Sequence, residues 1–206
     1  MKKHFLLIII ALLTFGVKAQ NAEQMFKAAV DKLKTYDNIE IAFDYNMINM
    51  EAGIYETMDG AAFMQGDAYR LLIMGQEIIC DGSTMWSYNA DAQEVMISDV
   101  DDSEGGGSPL SIIESYYDNI TAKIVDEAGT IKKYEIKSLI GNDNFKKIIV
   151  TMDTNTLNIK DIHLFDNDDT EFVYVIKKFV TNQKLPADFF TFKESDYPDA
   201  EIIDMR

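Results

Sequence analysis

Residues 39–47 read Ile39-Glu40-Ile41-Ala42-Phe43-Asp44-Tyr45-Asn46-Met47. Large apolar side chains return at every second position, the spacing of a strand with one buried face. The same reading extends downstream through short apolar runs separated by turn residues. Ile54–Met64 closes at Gln65-Gly66-Asp67, Ala68–Met74 at Gly75-Gln76, and Glu77–Cys80 at Asp81-Gly82-Ser83-Thr84. Met85–Tyr88 closes at Asn89-Ala90-Asp91, and Glu94–Ser98 follows. Further strands are predicted at Ile120–Val125, Thr130–Leu139, Phe145–Met152, Asn158–Phe165 and Glu171–Val180, with short extended pieces at Phe189–Phe192 and Ala200–Asp204. About eleven to thirteen strands in hairpin succession predict a mainly β chain built on one antiparallel sheet or barrel.

Two helices stand beside the strands. Over Asn21–Tyr36, Phe26, Ala29, Val30, Leu33 and Tyr36 recur at three- and four-residue steps, with Asn21 placed to cap. Asp99, Asp101, Asp102 and Glu104 then lead into Gly105-Gly106-Gly107, and Ser108-Pro109 starts a second helix predicted over 109–117. Its apolar positions are Leu110, Ile112, Ile113, Tyr116 and Tyr117.

The N-terminus bounds the compartment. Met1-Lys2-Lys3-His4, an apolar run from Phe5 to Leu13, and Val17-Lys18-Ala19 before Gln20 form the three parts of a secretory signal. The run is about half of the ~20 apolar residues a membrane span needs. Cleavage after Ala19 is expected, leaving an exported single domain over 20–206. Gln20 stands where a lipoprotein signal would place cysteine, so no lipid anchor is expected. The one cysteine, Cys80, has no disulfide partner within the chain and reads as buried packing. The formal charge is −16, with 35 acidic residues. Such a surface repels phosphate backbones and anionic headgroups, arguing against nucleic acid and standing membrane attachment. A monomer is expected.

Catalytic signatures are sparse. His163 is the only histidine after residue 19, and no nucleophile motif adjoins it. Phosphate loops, dinucleotide fingerprints, zinc clusters and esterase elbows do not occur. No metal, cofactor or enzymatic activity is expected. The acidic groups Asp99/Asp101/Asp102/Glu104 and Asp166/Asp168/Asp169/Glu171 lack the full spacing of a calcium loop and read as solvated turns. What is abundant is pliable apolar bulk: 11 Met, 10 Tyr, 12 Phe and one Trp. Most of it must build the core. A long antiparallel sheet with an apolar face either fills its interior or encloses a ligand.

Several motifs occur together. Asp81-Gly82-Ser83-Thr84-Met85-Trp86-Ser87-Tyr88-Asn89 fits a D-G-x-T-x-W-x-Y-N hairpin, and Ser108-Pro109-Leu110 with Ile112-Ile113 fits an (S/T)-P-x-x-(L/I) helix start. Ile162–Leu164, Tyr174–Ile176, Phe189–Phe192 and Ile202–Asp204 follow in order, and the first helix with Ile41-Ala42-Phe43 supplies the opening. In this pattern the chain resembles the outer-membrane lipoprotein carrier (LolA-type) family. The resemblance implies an incomplete antiparallel β-barrel, a half-barrel of about 11 strands covered by a helical lid. It also implies a periplasmic chaperone that takes acylated lipoproteins from an inner-membrane ATP-driven exporter and passes them to an outer-membrane receptor. One exposed C16 chain costs roughly 12 kcal/mol at ~0.8 kcal/mol per methylene, so a diffusing carrier must enclose it.

On that reading the acyl-chain cavity and lid are assigned to Phe43, Tyr45, Met47, Met64, Leu72, Met74, Trp86, Tyr88, Ile112, Ile113 and Tyr116. The family's lid-latching arginine precedes the Ala68–Met74 stretch. Phe63-Met64-Gln65-Gly66 offers only Gln65 there, and Arg70 lies a few positions on, so Gln65 and Arg70 are the latch candidates. Glycines 105–107 are a candidate hinge; undiminished delivery after alanine replacement would count against it. Alternatives on the same fold are a periplasmic sensor and a carrier of another hydrophobic ligand.

Overall fold

The structure, a computed structural model, describes residues 21–100, 117–139 and 145–206. The signal segment, the second helix with Ile112, Ile113 and Tyr116, the triglycine stretch and most of the first acidic group lie outside the described residues.

The described chain is mostly β, with one α-helix at 21–33 (α1). Its strands are β1 Ile39–Asn49, β2 Ile54–Gln65, β3 Ala68–Ile73, β4 Gln76–Cys80, β5 Thr84–Asn89 and β6 Glu94–Asp99. β7 Ile120–Ala128, β8 Ile131–Ser138, β9 Phe145–Asp153, β10 Asn158–Asp166, β11 Glu171–Thr181 and β12 Glu201–Asp204 follow. They form one open 12-stranded sheet in the order β12-β6-β5-β4-β3-β2-β1-β11-β10-β9-β8-β7. The period-two segments therefore became strands at nearly their predicted bounds. Two expectations are corrected. Phe189 and Phe190 lie in a turn rather than a strand: Pro186 has no N–H to give a ladder, and its carbonyl accepts from Phe189 N at 3.2 Å. β12 is parallel to β6, with Glu201 opposite Glu94 and Asp204 opposite Ile97.

Turn chemistry explains the hairpins. Asp81 Oδ1 accepts from Ser83 N, Ser83 Oγ and Thr84 N, each at 2.9 Å, and Gly82 takes φ +102°. That is the physical content of the D-G-x-T motif: an Asx turn followed by a backbone angle glycine adopts without strain. Partial burial raises the Asp81 pKa, but the Thr84 and Ser83 donors outweigh it and hold the carboxyl below its usual range. Asn89, Asp153 and Asp166 accept from the turns after β5, β9 and β10 in the same way.

By contacts the chain divides into two compact units. The first comprises Met1–Leu33, Met47–Tyr55 and Tyr116–Tyr174. In it α1 buries Ala22, Phe26, Ala29 and Val30, and the sheet buries Ile120, Ala122, Tyr134, Ile136, Val150 and Met152. Polar ties fix the helix margins: Lys32 Nζ donates to Asn158 Oδ1 at 2.9 Å, and Tyr117 Oη donates to Asp31 Oδ2 at 2.9 Å. The helix stops at 33, short of the predicted Tyr36, and the Tyr36 ring instead meets Phe179 edge-on. The second unit comprises Lys34–Asn46, Glu56–Ser115 and Val175–Arg206. Its core includes Ile39, Phe43, Tyr45, Ala62, Met64, Tyr69, Ile79, Cys80, Val95 and Ile97.

Candidate functional site

Strand register sorts the second unit into two faces. Met64, Tyr69, Cys80 and Met85 stand opposite one another in one row, and Ala62, Leu71, Ile78, Ser87 and Met96 in the next. Paired residues share a face. Tyr69 Oη lies 3.4 Å from Met85 Sδ within the first row. Gly60 belongs to this face by parity with Ala62, and a Cβ there would collide with Phe43 Cε2. The Phe43 ring therefore lies over Gly60, which places Phe43 and its alternation partner Tyr45 on the same face. The face is apolar and rich in methionine. Leu71, Ile78 and Met85 are half-buried, and Met96 is 45% exposed. Replacing Gly60 with alanine is expected to cost about 1–3 kcal/mol in a urea titration, because Phe43 must leave its rotamer to admit the methyl group.

The opposite face is occupied by the chain's own C-terminal segment. The buried Asn38 starts its path: Asn38 Nδ2 donates to Gln183 O at 2.8 Å, and Asn38 Oδ1 accepts from Gln183 N at 2.9 Å. Further along, Phe189 meets Phe63 edge-on at 5.0 Å, Phe192 stacks on Trp86 at 5.7 Å, and Tyr197 packs on Tyr88 at 4.7 Å. Arg70 joins this layer. Its guanidinium pairs with Glu77 at 2.5 Å and lies 5.7 Å from the Phe189 ring centre, while Tyr197 Oη donates to Glu77 Oε2 at 2.8 Å. Burial, then the bond to Glu77, pushes the Tyr197 hydroxyl up to about 12, so it stays a donor.

The candidate residues thus fall in different places. Phe43, Tyr45 and Met64 are buried on the methionine-rich face. Met47 continues the β1 alternation and is half-buried in the first unit. Trp86 and Tyr88 face the C-terminal segment. Leu72, 39% exposed, shares their side of the sheet; Met74, 49% exposed, sits at the β3–β4 turn with φ +55°. Gln65 is exposed at the end of β2, and Arg70 is committed to Glu77 and the Phe189 ring. Leu71, Ile78, Met85 and Met96, on the methionine-rich face, were not among the candidates. Adjacent apolar pairs, Phe63-Met64, Leu71-Leu72, Ile78-Ile79, Met85-Trp86 and Val95-Met96, were the available signal, since such pairs mark strands covered on both sides.

His163 lies between two carboxylates, with Nδ1 2.6 Å from Glu171 Oε1 and Nε2 3.2 Å from Asp161 Oδ1, and Thr151 Oγ1 donates to Asp161 at 2.6 Å. The bond to Asp161 raises the histidine's pKa above 6.5; burial opposes this and Glu171 adds to it. A raised folded-state value means stabilisation that is complete below the unfolded pKa and lost as pH rises through the folded one. The unfolding free energy is therefore expected to fall as pH rises above about 6.5, and the fall to flatten in a His163→Gln variant followed by urea titration across pH. Among the described residues no group of three or more His, Cys, Asp or Glu is placed to hold a metal, and no helix is long and apolar enough to cross a membrane.

The chain is thus built on an open, almost wholly antiparallel sheet whose strands β2–β6 carry an apolar, methionine-bearing face and, on the reverse, the chain's own C-terminal segment. The chain belongs to the outer membrane lipoprotein carrier protein LolA family, whose model matches residues 74–193. An outer-membrane lipoprotein carrier protein of Legionella pneumophila (strain Corby) is 28% identical over 122 residues, 57% of this chain and 58% of the relative. The chain thus spans somewhat over half the length of the curated relatives it matches. Among solved structures, an uncharacterized conserved protein from Thermus thermophilus has the same fold, with TM-score 0.56, 11% identity, and coverage of 88% of this chain and 98% of that one.

Proposed function

We propose that the protein is a periplasmic carrier that binds the acyl chains of lipoproteins on the methionine-rich face of β2–β6 and shuttles them from the inner to the outer membrane. The observation that carries the reading is that face: the cross-strand rows Met64-Tyr69-Cys80-Met85 and Ala62-Leu71-Ile78-Ser87-Met96 beside the Phe43 ring, on a chain whose family is that of lipoprotein carriers. Unbranched methionine side chains adapt to acyl chains of differing length and kink. Ile112, Ile113 and Tyr116 close over the bound chains from the helix expected at 109–117. The Trp86 and Tyr88 side chains serve instead to hold the C-terminal segment in place. Secretion by the N-terminal signal delivers the carrier to the periplasm, where an inner-membrane ATP-driven exporter loads it and an outer-membrane receptor unloads it; it works as a monomer and without catalysis.

Native mass spectrometry of protein isolated from its own periplasm tests the reading. Co-purified acylated lipoprotein is the expected result. Protein that carries no lipid, even after incubation with a purified triacylated lipoprotein in detergent, would overturn it.

A further inference from the structure

Tyr134 stands on β8 between Ile124 of β7 and Val150 of β9, and Ile162 of β10 follows Val150 in the same row. It is 1% exposed, and among the described residues its hydroxyl is the one buried side-chain polar group with no hydrogen-bond partner. A phenylalanine would fill the same space without stranding a donor, so the hydroxyl itself requires an explanation. Burial is the first cause raising its pKa, with Glu127 second, so the oxygen keeps its proton and remains a donor. A single water there would need two to four polar partners of its own, and the cross-strand neighbours are all aliphatic. The adjacent cation on the same strand, Lys132, is paired with Glu127 at 3.2 Å. What suits the position is an acceptor brought in on an otherwise apolar molecule.

We infer that the Tyr134 hydroxyl is a ligand subsite in the first unit, donating a hydrogen bond to the carbonyl oxygen of an ester or amide linkage on an acylated ligand. The inference rests on the carrier reading and adds to it a contact within the first unit, apart from the β2–β6 face: it separates a fatty acyl ester or amide from a plain hydrocarbon. Tyr134 and the Phe26, Ala29 and Val30 side chains of α1 are buried in the same unit, and movement of α1 is the proposed route by which a ligand reaches the hydroxyl. Of the ties on α1, Lys27 to Asp118 and Tyr117 to Asp31 are exposed and weak enough to exchange, and the part-buried bond from Lys32 to Asn158 must open with them.

The test is displacement of an apolar fluorescent dye by methyl palmitate and by hexadecane, from wild-type protein and from Tyr134→Phe. One neutral hydrogen bond corresponds to roughly a fivefold preference. The ratio of ester to alkane affinity is therefore expected to fall about fivefold in the variant, with alkane affinity and thermal stability unchanged or raised. An unchanged ratio overturns the subsite while leaving the carrier reading intact. Failure of both probes to displace dye from wild-type protein overturns the carrier reading and the subsite together. A measurement on wild-type protein alone guards against a variant that misfolds: the carbonyl stretch of bound, carbon-13-labelled methyl palmitate should lie below its value in hexane, and an unshifted band overturns the subsite.

Discussion

Replacing Arg70 with alanine is expected to lower the unfolding free energy by about 2–3 kcal/mol and to expose residues 186–200 to proteolysis. The reason begins with the partner left behind. Glu77 is 17% exposed at the side chain and Arg70 29%, so the pair is partly desolvated. Removing one member of a buried pair costs about 3–5 kcal/mol, because the other is left charged without compensation; partial solvent access reduces that figure here. Arg70 also lies against the Phe189 ring and reaches the Phe189 carbonyl oxygen at 3.5 Å, so its loss removes contacts on two elements. Tyr197, whose hydroxyl donates to Glu77, shares the consequence. Limited proteolysis with mass mapping reads the second effect. A change below about 0.5 kcal/mol, as at an ordinary surface site, would show that the aromatic contacts alone hold the segment.

Met96→Glu should do the reverse: disturb binding and leave folding nearly untouched. Met96 is 45% exposed, so a charged replacement there remains solvated, and its effect on stability should stay within about 0.5 kcal/mol. It nevertheless stands in the row Ala62, Leu71, Ile78, Ser87, Met96 of the proposed acyl-binding face. A carboxylate at that point keeps its water and pushes an acyl chain away from it. Losing contact with two methylenes, at ~0.8 kcal/mol each, weakens binding about tenfold. Dye displacement by a triacylated peptide, with urea denaturation of the same sample, separates the two effects. Unaltered affinity would move the binding face elsewhere.

The strands were legible because their evidence is local. Alternation in Ile39–Met47 and the turn residues at Asp81, Asn89, Asp153 and Asp166 each report on a few neighbouring residues. Which face does what is not local. Met85-Trp86 and Ile78-Ile79 are apolar at successive positions, so period-two reading cannot say which member of each pair meets a ligand and which meets the chain itself. The choice of Trp86 and Tyr88 followed the resemblance of their hairpin to the family's motif; their partners Phe192 and Tyr197 lie in a segment with no period to read. The parallel pairing of β12 was invisible for a similar reason. Four residues, Glu201–Asp204, carry no directional signal, and direction is imposed by the crossing of residues 182–200 over the sheet. Arg70 was recognised as unusual but was matched to a latch rather than to Glu77, seven residues away across a hairpin.

That crossing also orders events in time. β6 forms its hairpin with β5 from residues close in sequence, but its outer edge is covered only when residues 201–204 arrive. Until residues 201–204 have been synthesised, β6 presents open N–H and C=O groups flanked by Val95, Met96 and Ile97, the kind of edge on which strands of other chains assemble. Because the pairing joins distant parts of the chain, it is also a slow one to find. Residues 201–204 thus act as a late seal on the sheet, and the unsealed chain is the species most exposed to aggregation.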